Sequence, residues 1–468
     1  MDTGPMGAEE RTARSGENGT SETATGETGP AARAGVAESS GDAVLAGEEQ
    51  SASGMSESAA RAGEAGAGES ASGVRAGALR GAAEAAVGRD EEAVTGAGVP
   101  GGSPRAREEG ADPPGGAGKA SEDVPAAAPG GRRRTRLKWA RRVVLGLVLV
   151  VLLPLLAAGT ALRVNYAGDP ADGTYTRNRD AIWLGHAWVD GRKDDADVEA
   201  LARRLRGTGI RDLYVHSGPL EHDGTLPGSA CPKARWLIAA VHRELPGVRV
   251  QAWLGDKLAS ESPDGLRLER AQTRAAVVRS TRRILTAGFE GAHFDLEPLH
   301  SGDRDYLSLL DDLRRVTRAH GALLSVAAHQ IDPLPAFHSF WGTTTGHPKW
   351  WSQAYFGQVA RRVDQIAVMS YDTMQPLESL YGGYVAQQTS LALEVTPHST
   401  DLLMGLPFYH ENRFGHWARA ETVPAAVRGV RLGLSRTDAD RTRFGVALYV
   451  DFAATEDDWT AYQEDWVG

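Results

Sequence analysis

Three ionisable residues at alternate positions, His293, Asp295 and Glu297, stand inside the apolar stretch Gly288 to Leu299, GFEGAHFDLEPL. In a β-strand alternate side chains share a face, so these three point one way while Ala292, Phe294 and Leu296 point the other. A charged row on a core strand is costly unless it opens onto a cavity or pairs internally. Neighbouring carboxylates beside an imidazole are a common means of separating pKa values for acid-base work. The stretch is therefore the candidate for a proton-transferring site. A solvent-facing antiparallel strand would also tolerate such alternation, but the flanking pattern argues for a parallel sheet.

The elements that must position this row recur along the C-terminal 290 or so residues. Eight short apolar runs alternate with helical patterns: Ala181 to Trp188, Ile210 to His216, Val248 to Leu254, Gly288 to Glu297, Ala322 to Ala328, Gln365 to Asp372, Asp401 to Phe408 and Phe444 to Asp451. Between the first two, Val198, Leu201 and Leu205 have helical spacing, as do Leu307, Leu310, Leu313 and Val316 between the fourth and fifth. Eight strand-helix units predict an α/β fold of the (β/α)8 TIM-barrel type, which typically takes about 250 residues. An open doubly wound sheet is the alternative, and no Gly-rich phosphate loop supports it.

In a barrel the chemistry sits where strands end. The runs close on His186 and Trp188, His216, Trp253, Asp295 and Glu297, His329, Tyr371 and Asp372, Tyr409 and His410, then Tyr449 and Asp451. Aromatic faces stack on the C–H surfaces of sugars and carboxylates bind hydroxyls, so this set suits a carbohydrate oligosaccharide or polymer better than a nucleotide. Trp350, Trp351 and Trp459 are candidates to extend an aromatic wall, with ordinary packing the commoner role for each taken singly.

The rest of the 468-residue chain is of another kind. Residues 1–131 are rich in Ala, Gly, Glu and Ser with almost no aromatic or large aliphatic residues, and are expected to be a disordered tail. They carry 22 acidic and 10 basic residues, which more than accounts for the chain's net charge of −10. What remains is close to neutral, and nothing in it suggests nucleic acid.

A basic juxtamembrane segment, 132–142, holds Arg132, Arg133, Arg134, Arg136, Lys138, Arg141 and Arg142. An uncharged apolar run, 143–162, follows, with the roughly 20 residues a transmembrane helix needs to cross a lipid bilayer. The positive-inside bias places the tail in the cytoplasm and the C-terminal domain outside the cell membrane. A cleaved signal peptide is the rival, since Ala157, Ala158 and Ala161 resemble a cleavage site. A linker, 163–179, then leads to the barrel domain, 180–468. Cys231 is the single cysteine, so no internal disulfide can form.

These residues resemble glycoside hydrolase family 18, the chitinase-like barrels. That family's fourth strand carries Asp-x-x-Asp-x-Asp-x-Glu, and Glu290, His293, Asp295 and Glu297 hold those places here. Its sixth strand ends in Met-x-Tyr-Asp, matched by Met369, Tyr371 and Asp372. Its seventh-strand Gly-Leu-Pro-Phe-Tyr is matched by Gly405 to Tyr409, and its eighth-strand aromatic falls on Tyr449. The similarity covers about 180–455.

The resemblance implies a retaining glycosidase in which the substrate's own 2-acetamido oxygen replaces the enzyme nucleophile. Glu297 would be the acid, Asp295 would orient the acetamido group and Tyr371 would donate to its oxygen. His293, Asp372, Met369, Tyr449, Trp253 and Tyr409 would surround the sugar, with no metal or organic cofactor. The departures are Glu290 for the first Asp, a mild change, and His293 for the middle Asp, which replaces a carboxylate pair by a possible imidazole-carboxylate pair in which a protonated His293 would hold Asp295 ionised and weaken its proton coupling to Glu297. Two other readings remain open: a glycan-binding barrel without turnover, and a metal-dependent hydrolase using His186, His216, His293 and His329 beside Asp295 and Glu297.

Overall fold

The structure is a computed structural model that describes residues 131–260 and 262–468. The tail expected over 1–131 thus lies, apart from Gly131, outside the described residues.

Helix α1, Gly131–Tyr166, carries the basic cluster and the apolar run as one element. Its part from Lys138 to Tyr166 is long and apolar enough to cross a membrane. The expected linker therefore begins inside a helix, and part of its remainder is held against the domain. Thr174 is fully buried, and Arg177 donates to the carbonyls of Gly173, Tyr175 and Ala439.

Eight parallel strands then close into a barrel. They are β1 (Asp180–Leu184), β2 (Ile210–His216), β3 (Arg249–Lys257), β4 (Gly291–Glu297), β5 (Leu323–Ala328), β8 (Gln365–Val368), β9 (Asp401–Pro407) and β10 (Phe444–Tyr449). Each strand pairs in parallel with its sequence neighbour in the ring, and β1 closes on β10 through Ala181↔Ala447 and Ile182↔Leu448. A short parallel pair, β6 (Gln330–Ile331) and β7 (Trp350–Trp351), is inserted after β5.

The helices are α2 (Ala187–Asp190), α3 (Asp195–Leu205), α4 (Ala234–Glu244), α5 (Ala271–Ala287), α6 (Arg304–Ala319), α7 (Phe337–Thr345), α8 (Gln353–Ala360), α9 (Glu378–Val395), α10 (Val423–Thr437) and α11 (Glu456–Tyr462). In α6 the apolar residues at helical spacing, Leu307, Leu310, Leu313 and Val316, are buried as the pattern predicts. The Asp303 side chain accepts from the Tyr306 amide and caps the start of that helix.

Several strand ends differ from the sequence reading: β3 runs on to Lys257 and β10 stops at Tyr449, and three others have a clear local cause. β1 stops at Leu184, because Ala187–Asp190 coil into a helical turn closed by Gly191 at φ 105°. β4 starts at Gly291, because Gly288 at φ 115° ends α5. β8 stops at Val368, and Asp372 sits beyond it in the left-handed region at φ 55°, where Asp is among the better tolerated residues.

Burial follows the strand period. Ala292, Phe294 and Leu296 pack outward against the helices, while His293 turns into the barrel with Trp183 and Tyr214. The barrel interior is polar at its far end, where Arg249 pairs with Asp212 at 2.6 Å and Gln251 and Gln365 donate to the same carboxylate. Asp180 is fully buried and accepts from Val446 N, Thr176 Oγ1, Tyr462 Oη and Trp466 Nε1. These bonds tie both ends of the domain to β1.

Candidate active site

The mouth of the barrel at the strand C-termini holds one cleft whose lining includes Asp295, Glu297, Met369, Tyr371, Asp372 and Tyr449. Asp295 and Glu297 reach it because β4 pairs in register with β3, Gly255 opposite Asp295 and Lys257 opposite Glu297. A side chain at 255 has no room, since a Cβ there would stand 2.9 Å from the Asp295 carbonyl oxygen.

Asp295 hangs below Glu297. Its Oδ2 accepts from Trp253 Nε1 at 3.2 Å, while its Oδ1 is buried with no hydrogen-bond partner in the protein. Burial raises this carboxyl to about 6, and the Trp253 bond pulls the other way. Asp295 therefore changes charge near neutral pH. Glu297 is about one-third exposed, with Oε1 3.9 Å from His329 Nδ1.

Tyr371 lies stacked on Tyr449, with ring centroids 5.2 Å apart. Its hydroxyl is held well above the ordinary tyrosine range by burial, then by Tyr449 and the charges of Asp295, Glu297 and Asp372. It therefore remains a hydrogen-bond donor throughout the working pH range. The ring is seated by a missing side chain on the next strand, because a Cβ on Gly405 would stand 2.8 Å from Tyr371 Cε1. Behind it Gln330 Nε2 donates to the carbonyls of Met369 and Tyr371, and Tyr384 Oη donates to Gln330 Oε1.

Asp372 is the centre of a charged cluster. Its carboxylate accepts from Tyr409 Oη at 2.7 Å and Arg413 at 2.8 Å, and pairs with His416 Nδ1 at 3.1 Å. The same His416 nitrogen lies 3.1 Å from Glu421, whose carboxylate accepts from the backbone amides of Asp372 and Thr373. Burial would raise Asp372, but His416, Arg413 and Tyr409 bring it down to about 2. Burial would lower His416, but the two carboxylates bring it up to about 9. Asp372, His416 and Glu421 are also the group of possible metal ligands whose atoms converge among the described residues. Without a bound ion, the protonated His416 between two carboxylates makes an ion triad.

Three expected sugar contacts lie beneath or behind the cleft. Trp253 is 1% exposed and supports Asp295 from below; Tyr409 is buried and holds Asp372. His293 is fully buried inside the barrel. Its Nε2 accepts from Trp183 Nε1 at 3.1 Å, its Nδ1 donates to Ser325 Oγ at 2.8 Å, and its ring stacks on Tyr214. Burial takes the imidazole down to about 3, so it is neutral and gives Asp295 no charged partner. Trp350, Trp351 and Trp459 are buried too, so they pack the domain rather than extend a sugar wall.

The four histidines considered as a ligand set do not converge. Both nitrogens of His293 are engaged, His186 Nδ1 bonds the His216 carbonyl, and His329 Nε2 accepts from the Leu299 amide. Conversely, Lys349 and Arg413 line the cleft without having been expected there. Burial lowers the Lys349 ammonium, offset by Asp372, Glu421 and Glu297, and its Nζ donates to the Asp372 carbonyl.

No protein-family model and no curated relative matches the sequence. Solved structures similar to the chain include a class V chitinase from Pseudomonas fluorescens Pf-5, at 13% identity and TM-score 0.43 over 61% of this chain and 98% of that one. The spore cortex-lytic enzyme SleL of Bacillus cereus is similar at 14% identity and TM-score 0.44, over 62% of this chain and 74% of that one. A chitinase from Chromobacterium violaceum ATCC 12472 is similar at 14% identity and TM-score 0.42, over 61% and 98%. These are low values, and the barrel assignment stands on the closed ring of eight parallel strands itself.

Proposed function

We propose that the protein is a membrane-anchored glycoside hydrolase that cleaves β-linked N-acetylglucosamine-containing glycans with retention, the substrate's acetamido group acting as nucleophile. The observation that carries this reading is the meeting of Asp295, Glu297 and Tyr371 in one cleft at the mouth of the barrel.

Glu297, about one-third exposed, protonates the glycosidic oxygen as the bond to C1 breaks. The acetamido oxygen then attacks C1, and the positive charge spreads over the resulting five-membered ring. Asp295 Oδ1, which has no protein partner, is the acceptor for the acetamido N–H and stabilises that charge when ionised. The Tyr371 hydroxyl, kept protonated by its surroundings, donates to the acetamido oxygen and fixes its angle of attack. Water activated by the Glu297 carboxylate opens the ring from the face the leaving group vacated, restoring the original configuration. Tyr449, stacked on Tyr371, offers its ring as a floor for the sugar.

The apolar part of α1 supplies the anchor, with its basic start on the cytoplasmic side and the barrel outside. The test is turnover of labelled β-1,4-linked N-acetylglucosamine oligomers by the full chain in detergent or membranes. Cleavage that disappears in Glu297→Gln while the variant still binds the oligomer supports the reading. Binding without cleavage by the unaltered chain would instead make it a lectin-like barrel.

A further inference from the structure

Helix α1 meets the barrel in a defined direction. Helix α9 follows β8, so its first residues lie at the mouth end. Gly159 of α1 faces Leu380, in the first turn of α9, and the Leu162 carbonyl sits against Gly383, where a Cβ would stand only 1.9 Å away. Below this notch the chain continues toward the opposite end of the barrel. Arg436, near the end of α10, holds the carbonyls of Asn165 and Ala167, and Arg177 reaches Ala439 beyond it. Residues 159–177 thus descend from mouth to base. The exposed apolar turns before Gly159 therefore project on the mouth side.

A second observation concerns the rim itself. Outside α1, the large apolar side chains exposed among the described residues are Leu334, Phe340, Leu377, Phe414 and Trp417. All five lie in connections that follow β6, β8 and β9, at the end where the cleft opens. Phe414 is 96% exposed, and Leu377 immediately precedes the helix that carries the α1 notch. Arg419 stands over the Trp417 ring at 5.6 Å, a cation beside an interfacial aromatic. Exposed apolar groups gathered on one face mark a surface that is covered in use.

We propose that the mouth of the barrel lies against the membrane surface, with this rim entering the lipid interface, so that the cleft takes glycan chains held at the bilayer. The proposal rests on the reading of α1 as a membrane span and gives the hydrolase its substrate class: membrane-proximal or lipid-linked glycans.

The test uses the full chain in a Cys231→Ser background, reconstituted into phosphatidylethanolamine–phosphatidylglycerol vesicles containing doxyl-labelled lipid. A fluorophore is attached through Phe414→Cys at the rim or Asp440→Cys at the base. Quenching at 414 several-fold above that at 440, with the chain retained after carbonate washing, is the expected result. Equal quenching in retained chain overturns the rim placement and leaves the span standing. Shielding of 414 from water without lipid quenching means that a protein covers the rim, and also overturns it. Release of the chain by carbonate overturns the span and the proposal together. Turnover by the same samples reports separately on the hydrolase reading.

Discussion

The indole Nε1 of Trp253 donates to Asp295 Oδ2 at 3.2 Å, leaving Oδ1 of the same carboxylate with no partner in the protein. One side chain thus holds the carboxylate by one oxygen and leaves the other unpaired. Because burial raises Asp295 to about 6 and this bond lowers it, the bond also sets where the site gains its charge.

Trp253→Phe tests that link. Removing a donor to the ionised form raises the Asp295 pKa further, by roughly one unit for a single hydrogen bond of about 1.4 kcal/mol. The acid limb of kcat/KM, expected near pH 6 in the parent, should move upward, costing about fivefold in rate at pH 6, approaching about tenfold below pH 5, and little at pH 8. An unmoved limb would mean that another group sets it.

His416→Gln removes the cation between Asp372 and Glu421. The folded-state pKa of His416, about 9, lies above its ordinary value of 6.5, so its stabilising contribution is complete below pH 6.5 and is lost as pH rises through about 9. Breaking such a buried set costs on the order of 3–5 kcal/mol. Thermal melts should show the variant well below the parent at pH 6 to 7, with the gap closing by pH 10.

Gly405→Ala places a methyl against the Tyr371 ring and, at 2.8 Å, against the Val368 carbonyl. Overpacking of this kind costs about 1–3 kcal/mol of stability. If Tyr371 is the donor to the acetamido group, kcat should fall by at least tenfold at temperatures where the variant is fully folded. A stable variant with full kcat would remove Tyr371 from the reaction.

The strand period of GFEGAHFDLEPL, the eight runs and the Met-x-Tyr-Asp fragment were enough to read the barrel and to bring Asp295, Glu297, Tyr371, Met369, Asp372 and Tyr449 to one mouth. Period-2 alternation says which face a residue takes, and His293 indeed faces inward. It does not say how deep along the barrel axis the residue lies, and depth is what makes His293 a neutral packing group. Lys349, Arg413, His416 and Glu421 lie in connections with no period, and their pairing with one aspartate depends on loop geometry that spacing does not encode. Trp350 and Trp351 pack the domain for a related reason: the small sheet of β6 and β7 buries them.

His293→Asp separates the two views of that position. A charged partner for Asp295 would make the swap shift the pH profile. In the structure it puts a carboxylate among Trp183, Tyr214 and Ser325 and takes away the stacked ring, so a loss of roughly 2–4 kcal/mol in stability is expected, read as a lower melting temperature.

The most direct measurement is the rate of cleavage of a labelled β-1,4-linked N-acetylglucosamine oligomer by the full chain and by Glu297→Gln, with binding of the same oligomer measured in parallel. The account predicts cleavage by the parent, a loss of at least about 10²-fold in the variant, and comparable binding by both. Equal cleavage by the two proteins would contradict it.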